Sequence, residues 1–144
     1  MKIWKIISLC MTVALLTVPA VSAKEGYTVS PSNEDNPPIA ILLYSSITQG
    51  QTKIHTSDVG TGIEWLEADL NWGDTSDSLS LTIYTPGGSK VGTFYDRDDG
   101  KTDGRIHLNI NPSQGYVESG EWEFKVYGAS VIGTEGYNFN VYQH

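Results

Sequence analysis

Apolar and polar residues alternate along the chain from Ile39 onward, and helical spacing is almost absent. In Ser78–Tyr84, for example, three apolar residues alternate with serine, threonine and tyrosine. Such alternation is typical of a β-strand with one face in a core and the other in water. The pattern predicts about eight strands, over Ile39–Ser46, Thr52–Val59, Ile63–Trp72, Ser78–Tyr84, Val91–Tyr95, Arg105–Ile110, Glu121–Tyr127 and Gly136–Tyr142.

The number and spacing of these strands predict the fold class. Glycine, proline, asparagine and aspartate fill the segments between strands, and Pro86–Ser89 is expected to form the turn of a hairpin. We therefore expect an all-β protein, an antiparallel β-sandwich with jelly-roll strand order; an immunoglobulin-like order is the alternative. Trp72 and Trp122 fall on apolar faces and are expected in the core. Glu67 and Asp69 fall on the opposite, wet face.

The first 23 residues have the pattern of an export signal. Lys2 and Lys5 precede an apolar run, and small residues end it at Ala23, where cleavage is expected. A retained membrane anchor is the alternative, although the run of about 13 residues is short for a ~30 Å hydrocarbon core. We expect a secreted or cell-envelope protein without a membrane span after cleavage. Residues 24–38 are expected to be a polar linker or tail, and residues 39–144 the sandwich.

The composition of the chain excludes some classes of function. Cys10 is the only cysteine and lies within the predicted signal, so the mature chain has no thiol for a disulfide or a thiolate metal site. Removing residues 1–23 takes two of the nine basic residues and none of the 17 acidic ones, which leaves a formal charge of −10. Such a charge repels phosphate backbones, so nucleic acid is not an expected partner.

The order of several short motifs resembles a known family. The motifs are Ile47-x-Gln49-Gly50-Gln51, His55-x-x-Asp58-Val59, Leu66–Trp72, Leu79-x-Leu81-x-Ile83-Tyr84-x-Pro86-x-Gly88, Gly120-x-Trp122-x-Phe124-x-Val126-Tyr127 and Tyr137-x-Phe139-x-Val141. Over residues 33–142 the chain resembles the bacterial and archaeal pre-peptidase C-terminal domain, including such domains of methanogen surface proteins. This jelly-roll sandwich is appended to many secreted proteases. Ser78 and Ser80 depart from the family, which usually has an acidic residue in that strand. The resemblance implies a fold and a binding role, not a reaction.

An acidic, glycine-broken loop is the best candidate for chemistry. Asp96, Asp98, Asp99 and Asp103 lie within eight residues, between two predicted strands. Calcium prefers six to eight hard oxygen ligands, and such a loop can wrap carboxylates around one ion. The spacing is not that of an EF-hand, because His107 stands where the bidentate glutamate would be. An ordinary solvated turn is the alternative, since aspartate and glycine are common turn residues.

Motifs of the common enzyme classes are missing from the sequence. It has no H-E-x-x-H or G-x-S-x-G, and His55, His107 and His144 are widely separated. The sequence favours a non-catalytic secreted or cell-surface binding module with calcium as a candidate cofactor. A carbohydrate-binding module is one alternative, because Trp65 and several tyrosines fall outside the core pattern. A secreted hydrolase or a fragment of one is the other. The expected partner is an extracellular protein or polysaccharide.

Overall fold

The computed structural model describes residues 26–34 and 43–144. The predicted export signal, residues 24, 25 and 35–38 of the predicted linker, and residues 39–42 of the first predicted strand lie outside these ranges. The described residues form nine strands and one short 3₁₀ helix. The strands are β1 (Tyr27–Pro31), β2 (Leu43–Thr48), β3 (Thr52–Val59), β4 (Leu66–Asn71), β5 (Ser78–Tyr84), β6 (Lys90–Tyr95), β7 (Arg105–Pro112), β8 (Gly120–Ser130) and β9 (Thr134–Gln143). None of the described helical residues forms a segment that is long and apolar enough to cross a membrane.

The strands pair into two antiparallel sheets that are packed as a sandwich. One sheet has the order β1-β7-β4-β9-β2, and the other has the order β3-β8-β5-β6. From β2 to β9, successive strands lie in opposite sheets except for the hairpin β5 and β6, and this is the strand order of a jelly roll. The prediction of an all-β, jelly-roll-like sandwich is therefore confirmed. The predicted hairpin is also present, as β5 paired with β6 around the turn at Pro86–Ser89.

The interior agrees with the predicted apolar faces. Trp122, Phe124 and Val126 of β8 are fully buried, and Trp72 is 8% exposed. They pack with the inward residues of β4, β5, β7 and β9, which form one continuous core. Burial of these side chains supplies the main driving force for folding, at roughly 1.5–3 kcal/mol for each large apolar side chain.

Strand β1 lies in a segment for which the sequence predicted a linker. Tyr27–Pro31 pairs antiparallel with β7 at the edge of the five-stranded sheet. Tyr27 and Val29 point inward and are 6% and 0% exposed. The ring of Tyr27 contacts that of Trp122 edge to face at 5.2 Å. Its hydroxyl accepts a hydrogen bond from the amide of Glu118 at 3.0 Å. Two well-placed apolar side chains therefore bring this otherwise polar segment into the sandwich.

Four connections meet at one end of the sandwich, which we call the loop end: residues 49–51, 72–77, 96–104 and 131–133. Two of them are in backbone contact, since the amides of Trp72 and Gly73 both donate to the carbonyl of Gly104 at 2.9 Å. Gly104 has φ +76, and a Cβ there would lie 2.7 Å from the carbonyl carbon of Gly73. Only glycine fits this approach, which holds the 96–104 connection against the neighbouring loop.

Candidate cation site at the loop end

The acidic loop is organised around the buried carboxylate of Asp96. Residues Asp96–Asp99 form the 3₁₀ helix, which follows β6 directly. Oδ1 of Asp96 accepts the amides of Asp103 at 3.1 Å and Arg105 at 3.4 Å, and Oδ2 accepts the amide of Gly104 at 2.9 Å. Asp96 is only 8% exposed. The carboxylate therefore fixes the backbone that leads into β7.

Two further aspartates of the loop also accept backbone amides. Asp99 accepts the amides of Lys101 and His107, both at 3.1 Å. Asp98 accepts the amide of Tyr95 at 2.8 Å and so caps the short helix. These side chain to backbone hydrogen bonds are those of an ordinary turn, which was the alternative interpretation of the loop.

Three of the four predicted ligands also come together in space. Carboxylate oxygens of Asp96, Asp99 and Asp103 all lie within 4.8 Å of one another, and this group can hold a metal ion. Asp98 is not in the group; its carboxylate accepts the amide of Tyr95 at the start of the short helix. The remaining lone pairs of the three carboxylates leave capacity for a cation beside their amide bonds.

The electrostatics of Asp99 reflect this crowding. Burial raises the pKa of its carboxyl group, and repulsion from Asp103 and Asp96 raises it further. Hydrogen bonds from the amides of His107 and Lys101 act in the opposite direction without cancelling the rise. A cation among the three carboxylates would relieve both the desolvation and the repulsion.

A second acidic group lies at the same end of the sandwich. Carboxylate oxygens of Asp74, Asp77 and Glu135 also lie within 4.8 Å of one another, and this group too can hold a metal ion. Asp77 is 6% exposed, and its Oδ1 accepts the amide of Ile132 at 3.1 Å. Ser76 donates to Asp74 through its amide and its hydroxyl, which lowers the pKa of Asp74. The sequence did not predict this group, because Glu135 comes from a strand far away in the chain. The two aspartates close together in one loop, Asp74 and Asp77, were the sequence feature that could have indicated it.

Glu135 is the group most perturbed by its surroundings. Its pKa rises to about 7 because of burial, a hydrogen bond with Asp77, and repulsion from Asp77 and Asp74. Glu135 is therefore protonated and hydrogen-bonded to Asp77 below about neutral pH, and a cation bound in this group would favour its ionised form. The two acidic groups border one concavity of about 280 Å³, whose lining includes Asp77 and Asp96.

The raised pKa of Glu135 predicts a pH-dependent loss of stability. Between its ordinary value of 4.5 and about 7, the folded protein holds a proton that the unfolded chain has released. This contribution is complete below the ordinary value and is lost as the pH rises through about 7. In chelator, we expect urea midpoints of the unsubstituted protein to fall relative to those of Glu135→Gln between about pH 5 and about pH 8. Glu121→Gln, at an exposed position, is the control, and parallel curves for the protein and Glu135→Gln would contradict the assignment.

The outer face of the five-stranded sheet carries a buried polar network where the sequence predicted a wet surface. Glu67 is 1% and Asp69 8% exposed. Nε2 of His107 lies 2.6 Å from Oε2 of Glu67, and Nε2 of His144 lies 3.0 Å from Oε1. Arg105 binds Asp69 through two hydrogen bonds of 2.7 and 2.8 Å. Two histidines that are widely separated in the sequence therefore meet on one carboxylate.

The third histidine lies elsewhere, between the two sheets. Nε2 of His55 is 2.7 Å from the hydroxyl of Tyr137, and the ring also contacts that of Phe139. Burial and the charge of Lys53 lower the pKa of His55. Among the described residues, His55 is thus separate from both acidic groups and from the Glu67 network.

Comparisons with known proteins support the fold. No protein-family model matches the chain, and no curated protein matches it. Among solved structures, the chain is similar to "Structure of the Clostridium Perfringens CspB protease", with a TM-score of 0.51 and 13% identity. The match covers 67% of this chain and 24% of that chain, so the present chain spans about a quarter of the protease. At this identity the likeness concerns the fold alone.

Proposed function

We propose that this protein is a secreted or cell-surface binding module, without catalysis of its own, whose loop end is stabilised by calcium. The observation that carries the proposal is the convergence of Asp96, Asp99 and Asp103. All their ligand atoms are carboxylate oxygens, and the chain's cysteine lies outside the described residues. Calcium prefers such hard oxygen ligands, whereas zinc favours nitrogen and sulfur.

The position of the group explains how calcium would act. Asp96 and Asp99 belong to the short helix after β6, and Asp103 comes just before β7. An ion bound to all three ties the end of one sheet to the beginning of a strand in the other. Because the unfolded chain does not hold the three carboxylates together, the ion binds the folded state preferentially and stabilises it by mass action.

The resemblance to the pre-peptidase C-terminal domain supports a binding role. The jelly-roll order agrees with the fold of that family, and the structural neighbour is described as a protease of which the match covers about a quarter. These observations favour an accessory module that serves a secreted enzyme or a cell surface. The expected partner is an extracellular protein or polysaccharide.

A calcium titration tests the proposal. In thermal melts of the full chain, we expect millimolar calcium to add about 0.4–1.5 kcal/mol, as for extracellular sites with Kd of about 10⁻⁴–10⁻³ M. For a domain of this size, that gain raises Tm by a few degrees. Magnesium is expected to give a smaller rise because it demands a tighter octahedral geometry.

The variants must separate metal binding from backbone support. Asp103→Asn is the sharpest, because the Asp103 side chain is exposed and Asp96 contacts only its amide. It should abolish the calcium response while leaving Tm in chelator nearly unchanged. Asp58→Asn, at an exposed position on β3, should keep the full response. A Tm indifferent to calcium up to about 10 mM would reject the proposal, and a response lost in Glu135→Gln but kept in Asp103→Asn would move the site to the second acidic group.

A further inference from the structure

A concave site lies at the end of the sandwich opposite the loop end. The β5–β6 turn meets β8 there, around a cavity of about 360 Å³ lined by Tyr84, Pro86, Gly88, Glu121, Glu123 and Lys125. One wall is fixed, because Gly120 has φ +126 and a Cβ there would lie only 3.0 Å from Cβ of Pro86. The volume falls within the range of sites for small ligands, about 300–1,000 Å³.

Charges of both signs stand side by side in this cavity. Nζ of Lys125 lies 3.3 Å from Oε1 of Glu123 and sits over the ring of Tyr84, 4.8 Å from the ring centre. The ammonium of Lys125 would repel a cationic ligand, and the carboxylates of Glu121 and Glu123 would repel an anionic one. A neutral ligand with several hydroxyl groups suits both, because each hydroxyl can donate to a carboxylate and accept from an ammonium. The ring of Tyr84 is half-buried and Lys125 lies over it, so its remaining exposed part offers an apolar surface to the C–H groups of a sugar.

The surface that continues from the cavity has the same character. On the outer face of the four-stranded sheet, Tyr127 follows Glu123 by four residues along β8, or about 13 Å. Tyr127 is 41% exposed, and it lies opposite Ser80 of β5. Between the two tyrosines, the hydroxyls of Thr82 and Thr93 are hydrogen-bonded to each other at 2.9 Å. A row of hydroxyl groups bounded by two tyrosines fits an extended ligand better than a single small molecule.

We propose that this strip binds a neutral polysaccharide, with one sugar in the cavity beside Tyr84 and a later sugar of the same chain at Tyr127. This inference names a partner class for the proposed binding module and rests on that module being a binding protein. It does not depend on the acidic groups, which lie at the other end of the sandwich.

Affinity electrophoresis of the full chain tests the inference. The gels contain one of four neutral polymers (hydroxyethylcellulose, galactomannan, laminarin or dextran) or the anionic polygalacturonate. Suspensions of cellulose and chitin test insoluble polymers by depletion of the protein from solution. We expect retardation or depletion with at least one neutral polymer and none with polygalacturonate. Tyr84→Ala should weaken the apparent affinity at least about tenfold, which corresponds to about 1.4 kcal/mol of binding free energy. Tyr127→Ala should weaken the affinity less.

Matched variants keep the result interpretable. Tyr84→Phe retains the ring and should bind almost as well as the unsubstituted protein. Tyr44→Ala removes a tyrosine that is 73% exposed on the other sheet and should bind normally. A gelatin column tests a protein partner instead. Retention by none of the neutral polymers, equal binding by Tyr84→Ala, or retention only by polygalacturonate or by the gelatin column would overturn the inference. Repeating the gels in chelator separates the two proposals, because binding at Tyr84 should persist when the calcium effect on Tm is removed.

Discussion

Replacing Trp122 with alanine should produce the largest loss of stability of any substitution considered for this protein. The side chain is fully buried between the sheets, contacts the ring of Tyr27, and donates its Nε1 proton to the carbonyl of Glu118 at 2.8 Å. The cavity left by a large buried aromatic side chain costs about 3–5 kcal/mol. Urea denaturation of Trp122→Ala should therefore show a free energy of unfolding lower by that amount.

Trp65→Ala is the matched control for this prediction. Trp65 is only half-buried, and its ring stacks on His144 at 3.7 Å outside the main core. The decrease in the free energy of unfolding should be clearly smaller for Trp65→Ala than for Trp122→Ala. A change below about 0.5 kcal/mol for Trp122→Ala, which is typical of a surface substitution, would show that Trp122 is not a core residue.

The second large effect is expected at Asp96, even without any metal. Its carboxylate accepts three backbone amides, and the one from Gly104 is buried. A buried donor that loses its acceptor costs about 1–3 kcal/mol, so Asp96→Ala should lower the free energy of unfolding by about 3 kcal/mol. The measurement is urea denaturation in chelator. Asp96→Asn keeps one acceptor oxygen and should lose less.

Asp98→Ala provides the comparison within the same loop. Asp98 accepts a single amide, that of Tyr95, so the expected loss is about 1 kcal/mol, as for a helix cap. If Asp96→Ala were harmless in chelator and harmful only in calcium, Asp96 would be purely a metal ligand. We expect instead that Asp96 stabilises the fold through its backbone hydrogen bonds, and that a bound ion would stabilise it further.

The sequence predicted most of the fold because alternation of apolar and polar residues can be recognised within a single strand. Alternation within β4, β5, β7, β8 and β9 shows directly which apolar side chains point inward, whereas the buried residues of β6, Val91 and Phe94, are three positions apart. Strand β1 was missed because its alternation involves only Tyr27 and Val29, between serine, threonine and proline. Its assignment needs the register with β7, and no pattern within five residues supplies that pairing.

The candidate site was predictable only where its residues are neighbours in the chain. Asp96, Asp99 and Asp103 share one loop, so their spacing suggested a cluster. Glu135 joins Asp74 and Asp77 only through the folded arrangement of strands. Glu67 gave no signal either, because an outward carboxylate has the same sequence pattern whether it is solvated or paired with histidines. Their roles depend on contacts between residues far apart in the sequence.

The edge position of β1 sets a limit on processing of the N-terminus. Signal cleavage after Ala23, as the sequence predicts, would leave Tyr27 and Val29 attached to the domain. Proteolysis after Pro31 would detach a strand that, among the described strands, pairs with β7 alone, and would uncover the part of the Trp122 ring that Tyr27 contacts. Trimming that stops before β1 should therefore leave the sandwich intact, whereas a cut within β1 should expose the core.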